Sequence, residues 1–414
     1  MYPRLLQKDI SKWIERPEII IINGARQTGK TTLLKLIEKQ QNAAHRKTFY
    51  FSLENFEYLN LLNTNSENLF KLIGNPPSEN GPLFVFIDEI QYLENPTQFM
   101  KYIYDTYQPG IKLIVTGSSS FYMDRKFKDS LVGRKQIFTL KPLNFYEFLI
   151  FKERDDLAGF LKPGFQLKDF DYYASVPLIQ KNELQKYYSE FIRYGGFPGI
   201  VRERETEFIE MKLADLVYSY IRKDALEAKL SYPEKYLQIL KIIAERSGQL
   251  LNQNEISKTL GVSTTALTNY LYVMQKSFHV ALIPPYFGNV RKEIRKMPKA
   301  FLLDAGIRNA LLNSYEPIQT RIDRGFYFEN LVFIHLFHRF GLDALKFWRT
   351  QDQKEIDFIV NEKLAVEAKF QASAIQTEKY NFFQKQFPDM NLIFSAYDLH
   401  RRVGDYFCWE LMFL

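Results

Sequence analysis

Ile19-Ile-Ile-Ile-Asn23 runs straight into Gly24-Ala-Arg-Gln-Thr-Gly-Lys-Thr31, and an amphipathic stretch follows from Thr31 to Gln41. The loop fits GxxxxGK[ST], and a strand before it with a helix after it is the setting in which that spacing cradles phosphate. Its glycines let backbone N–H groups turn inward around phosphate oxygens, and the helix N-terminus adds the positive end of its dipole. Gly24, Ala25, Arg26, Gln27, Thr28, Gly29, Lys30, Thr31 and Thr32 are therefore the expected nucleotide-binding residues. Lys30 is expected to reach the β- and γ-phosphates, and the Thr31 hydroxyl to ligate Mg²⁺.

Outward from the loop, short apolar runs alternate with helical patterns over the first ~150 residues, as a parallel α/β sheet requires. The strand-like runs are Glu18–Asn23, Thr48–Ser52, Leu83–Asp88, Lys112–Gly117 and Gln136–Leu140. Leu83-Phe-Val-Phe-Ile-Asp-Glu89 is an apolar strand ending in two acids, the Walker-B form. Asp88 is expected to hold Mg²⁺ and Glu89 to polarise the attacking water. The next run ends in Thr116-Gly-Ser118, where Thr116 or Ser118 senses the γ-phosphate or simply closes a polar strand end. No [NT]KxD segment lies downstream to read guanine, which favours ATP. Arg134 is the first candidate for neutralising transition-state charge and Arg125 the second; each also reads as an ordinary surface arginine.

The chain has 414 residues, more than one ordinary core absorbs, so two or three domains are the starting expectation. A net charge of +7 permits nucleic-acid binding without demanding it. The single cysteine, Cys408, forms no internal disulfide, and the N-terminus carries no apolar signal segment. No apolar run approaches the ~20 residues of a membrane span, so the reading is cytoplasmic with no membrane partner.

Beyond residue 144 a helical, Phe- and Tyr-rich segment is broken at Tyr194-Gly-Gly-Phe-Pro198. Asn254 to Ser263, followed by Thr264–Met274, has the form of a helix-turn-helix, with Ile256 and Leu260 inward, Gly261 in the turn and Ser263 as cap. Thr264, Thr265, Thr268 and Asn269 face outward, towards a DNA major groove on this reading. The β-like runs His279–Pro284 and Lys299–Leu303 bracket a basic loop that reads as the wing of a winged helix. Arg291, Lys292, Arg295 and Lys296 are its phosphate contacts if DNA is the partner. The other reading is an internal packing module.

Near the C-terminus, Ile356, Phe358 and Val360 read as one strand face with Asp357 opposite, and Val366, Ala368 and Phe370 oppose Glu367 and Lys369. Paired, the strands bring Asp357 and Glu367 together as Mg²⁺ ligands, with Lys369 helping to activate water or steadying the phosphate charge and Glu329 adding a carboxylate from an upstream helix. That is the layout of a PD-(D/E)xK nuclease, a fold that also persists as an inactive binding module.

Together these residues resemble a family of bacterial and archaeal AAA+-like (STAND-related) ATPases that join a P-loop domain, a winged helix and a nuclease-like domain. The resemblance also rests on Leu140 to Phe148, Phe301-Leu-Leu-Asp-Ala-Gly306 and Gly325 to Glu329. It implies an α/β P-loop core (1–143) with a helical lid (144–230), a winged helix (231–312) and a PD-(D/E)xK-like α/β domain (320–414). AAA+-type sites often take an arginine from a neighbouring subunit, which makes a homo-oligomer a further expectation.

Overall fold

The computed structural model describes residues 2–74, 81–117, 131–161, 176–287, 293, 296–398 and 406–408. The chain divides into two compact units, Met1–Lys141 with Lys276–Phe278 and Pro142–Gln275 with His279–Leu414. The segments 144–230, 231–312 and 320–414 all fall, apart from residues 276–278, in the second unit.

In the first unit, five strands form one parallel sheet: β1 (Ile19–Asn23), β2 (Thr48–Ser52), β3 (Leu83–Asp88), β4 (Ile111–Gly117) and β5 (Lys135–Thr139). Their order is β2-β3-β4-β1-β5. Both faces are covered, which is why the strands read as nearly continuous apolar runs. Ile19, Ile21, Val85, Ile87, Leu113 and Val115 enter one core, while Ile20, Ile22, Phe84, Phe86 and Ile114 enter the other. Thr116 pairs with Ile22 and Gly117 with Asn23, while Ser52 pairs with Asp88. That register sets the polar strand ends along one edge, the carboxyl-end crevice where open α/β sheets bind ligands.

The second unit begins with the helix Phe145–Phe151, closed by a capping box of Asn144 and Glu147, and continues through the long helix Leu178–Tyr194. The Tyr194–Pro198 break meets Phe301–Gly306 directly: Asp304 accepts the Gly196 N–H at 2.8 Å and caps the next helix by accepting the Ile307 N–H at 3.0 Å. Burial pushes Asp304 up to about 6. Helices Gln253–Leu260 and Thr264–Lys276 are joined through Gly261 in the left-handed region, and Ser263 accepts the Ala266 N–H. An antiparallel ribbon follows, β6 (Val280–Ile283) with β7 (Lys299–Leu302).

The helix Arg324–Phe340 precedes a second five-stranded sheet of β8 (Leu345–Arg349), β9 (Glu355–Val360), β10 (Leu364–Lys369), β11 (Asn391–Ala396) and β12 (Tyr406–Cys408). The first three strands are antiparallel neighbours and the last three parallel. The strict alternation expected of β9 fails at its start. Ile356 packs in one cluster with Ile359, whereas Phe358 meets Phe301. The β9–β10 pairing ends at Val366↔Phe358, and beyond it side chains take over the backbone hydrogen bonds.

Candidate functional site

The loop Gly24–Thr31 joins β1 to the helix Lys30–Ala43 at the carboxyl edge of the first sheet. Gly24 has φ +144°, and a Cβ there would sit 2.2 Å from the Leu140 carbonyl oxygen, so only glycine fits this entry to the loop. Gln27 and Gly29 also take positive φ. Thr28 is fully buried and donates its hydroxyl to the Ala25 carbonyl. The Lys30 ammonium donates to the carbonyls of Gly24 at 3.0 Å and Ala25 at 2.8 Å. Thr32 is exposed on the first turn of the helix.

The two acids follow at the end of β3. Asp88 collects three hydroxyl donors: Thr31 at 2.7 Å, Tyr50 at 3.0 Å and Thr116. Thr116 also accepts the Glu89 N–H at 3.0 Å, and Glu89 itself is held at φ +58° with its carboxylate accepting from Gln91. One hydroxyl thus joins the two acids. A hydroxyl and a carboxylate set side by side, next to a lysine and a helix N-terminus, are the oxygen donors a hard divalent cation takes. The residues fit Mg²⁺ with a triphosphate.

Two residues here had no motif to announce them. Tyr50 reaches Asp88 from the neighbouring strand; burial, then the charge of Asp88, raises its phenol above the ordinary range. Arg4 is buried and donates to the carbonyls of Thr28 and Lys141, bracing the loop through its backbone. Arg134 stands at the opposite sheet edge. Ile19 pairs with Lys135 and Asn23 with Thr139, so Arg134 is separated from the loop by roughly 15 Å of strand. It pairs there with Asp105. Ser118 and Arg125 lie outside the described residues.

The second unit gathers Glu329, Asp357, Glu367 and Lys369. Glu367 accepts the Asp357 N–H at 3.3 Å, Asp357 accepts the Ala368 N–H at 2.9 Å, and Lys369 pairs with Glu367. Burial pushes Glu329 up to about 8 against the pull of Lys299, and Glu367 up to about 7 with help from Asp357. Glu329 and Asp357 both contact Lys299, a residue the motif does not contain. Among the described residues, no three His, Cys, Asp or Glu side chains are set to hold a metal ion.

On the helix Thr264–Lys276, Leu267, Tyr270, Leu271 and Met274 are buried, while Thr264, Thr265, Thr268 and Asn269 are exposed. Lys296 is exposed; Arg291, Lys292 and Arg295 lie outside the described residues. Among the described residues no helix is long and apolar enough to cross a membrane.

Parallel sheet, phosphate loop and paired acids define a P-loop nucleoside-triphosphatase fold. Residues 16–149 match the AAA domain family. Residues 185–317 and 324–410 match two families described as domains of unknown function, DUF8612 and DUF4143. An uncharacterized protein of Haemophilus influenzae is 27% identical over 353 residues, covering 82% of this chain and 79% of its own length. Uncharacterized protein MJ1544 of Methanocaldococcus jannaschii is 26% identical over 365 residues, covering 86% and 75%. Among solved structures, the Aeropyrum pernix ORC1 protein in complex with DNA aligns at 14% identity and TM-score 0.32, over 74% of this chain and 91% of that one. Similarity of that extent does not transfer a ligand or a partner.

Proposed function

We propose that the chain binds ATP with Mg²⁺ at Gly24–Thr32 and hydrolyses it, and that the second unit couples this cycle to DNA. The observation that carries the first half is the pairing of Thr31 with Asp88 at 2.7 Å beside the Lys30 ammonium. Lys30 leaves the two loop carbonyls for the β- and γ-phosphate oxygens, a stronger, charge-assisted partner. Thr31 and Asp88 hold the metal, which when bound neutralises charge on the phosphate oxygens. Glu89 orients the attacking water, and Thr116 keeps both acids in register. Arg134 does not reach its own loop, so as a transition-state arginine it serves a neighbouring copy of the chain. A specific activity independent of protein concentration would exclude that arrangement.

The DNA half rests on the exposed Thr264, Thr265, Thr268 and Asn269 of a winged-helix reading, with the basic loop up to Lys296 as phosphate contact. Its test is the ATPase rate with and without single- and double-stranded DNA, beside Lys30→Ala. Stimulation that vanishes in the mutant, with DNA affinity falling steeply in salt, is the expected result. A rate indifferent to DNA and no binding to either form would replace it with a second reading: an ATP-controlled switch for a protein partner, its nuclease-like domain inactive. One observation favours that reading for the C-terminal part, namely that Lys299 stands among the acids expected to bind metal.

A further inference from the structure

Lys299 opens β7, the second strand of the ribbon, and its side chain is only 1% exposed. Its ammonium lies 2.8 Å from Glu329 Oε1, 2.5 Å from Glu355 Oε1 and 3.3 Å from Asp357 Oδ1. An ammonium has three protons and no acceptor, so three carboxylate oxygens use its donors fully. Burial works against the charged form, but Glu329, Asp357 and Glu355 outweigh it and hold the lysine protonated.

Several of the remaining oxygens are engaged as well. Glu355 Oε2 accepts from Arg349 at 2.6 Å and Asp357 Oδ2 from the Ala368 N–H at 2.9 Å. Glu367 accepts from Tyr380 at 2.9 Å, from Lys369 and from the Asp357 N–H. Glu329, Glu355, Asp357 and Glu367 thus share Lys299, Lys369 and Arg349 as their cationic partners. The turn after the helix Pro233–Glu245 also packs against Glu329. Gly248, at φ +87°, donates to the Ala300 carbonyl and lies so close to Glu329 that a Cβ would stand 2.6 Å from its carboxyl carbon.

Mg²⁺ requires near-octahedral oxygens at about 2.0–2.1 Å and sheds water reluctantly. Here an ammonium stands among Glu329, Glu355 and Asp357, and a divalent ion beside it would meet a like charge in a buried setting. The residues do not fit the metal that the D…ExK pattern implies. We infer that Lys299 is the resident cation of this cluster: it holds Glu329, Glu355 and Asp357 together in place of a divalent metal, so the cluster takes up neither Mg²⁺ nor Mn²⁺ while β7 is docked. This goes beyond the ATPase proposal and stands or falls apart from it.

The test is Mn²⁺ binding to the full chain without nucleotide, followed by electron paramagnetic resonance of the free ion. Wild type and Asp357→Asn are expected to bind the same amount, since any Mn²⁺ taken up belongs to the P-loop side. Lys299→Gln is expected to gain one Mn²⁺ per chain, and Lys299→Gln with Asp357→Asn to lose it again. A wild-type site that Asp357→Asn removes would overturn the inference. So would a folded Lys299→Gln, checked by circular dichroism, that gains no ion. If Lys299→Gln does not fold, the wild-type and Asp357→Asn comparison still decides.

Discussion

Lys30 and Lys299 are both buried lysines in sites built around carboxylates, and the loop carbonyls that Lys30 bonds contrast with the acids around Lys299. Lys30 donates to two neutral loop carbonyls, and the nearby acid, Asp88, is satisfied by three hydroxyls. Lys299 is bonded to three carboxylates. A neutral carbonyl releases an ammonium to an incoming phosphate at little electrostatic cost, whereas three acids, Glu329 and Asp357 buried among them, hold it more firmly. Sites with the same side-chain chemistry thus differ in whether their cation is on loan or structural.

Three substitutions press on this contrast. The largest effect belongs to Lys299→Ala, which leaves buried acids without their cation and is expected to cost about 3–5 kcal/mol of stability in denaturant unfolding. Pairing it with Glu329→Gln should recover part of that loss, and a Lys299→Ala protein as stable as wild type would erase the distinction. Lys30→Ala comes next, lowering the ATPase rate by about 10²–10³ while leaving the fold intact, as for other preorganised donors to developing charge. Full activity in that variant would show that Lys30 never leaves its carbonyls. The smallest is Tyr50→Phe, which removes one hydrogen bond to Asp88, about 1 kcal/mol, and so no more than about tenfold in rate. An unchanged rate would reduce Tyr50 to a packing residue.

The phosphate loop was legible because its chemistry is contiguous: Gly24 to Thr31 are neighbours in sequence, and the apolar run of β1 announces where the loop starts. Asp88 and Glu89 were legible for the same reason. Tyr50 was not, because only the register of β2 against β3 brings it to Asp88, and nothing in Thr48–Ser52 encodes a partner. In the sequence Lys299 is only the first residue of a strand-like run. Its contacts with Glu329 and Asp357 span 30 and 58 positions, and no local pattern links a lysine to acids at such separations. The pairing of Tyr194–Pro198 with Phe301–Gly306 is invisible in the sequence likewise, since Asp304 joins the two motifs only in the fold.

The hydrogen bonds around Asp88 also have a direction. Protons run from the Glu89 amide to Thr116, and from Thr116, Thr31 and Tyr50 onto one carboxylate, so both of its oxygens act purely as acceptors. An asparagine has nearly the same shape but one of its two ends donates. Asp88→Asn would therefore do more than remove a charge. Whichever way the amide turned, it would meet either the Thr31 and Tyr50 hydroxyls or the Thr116 hydroxyl proton to proton, and those hydroxyls would have to rotate away. The position is sensitive to the polarity of its wiring as well as to its charge.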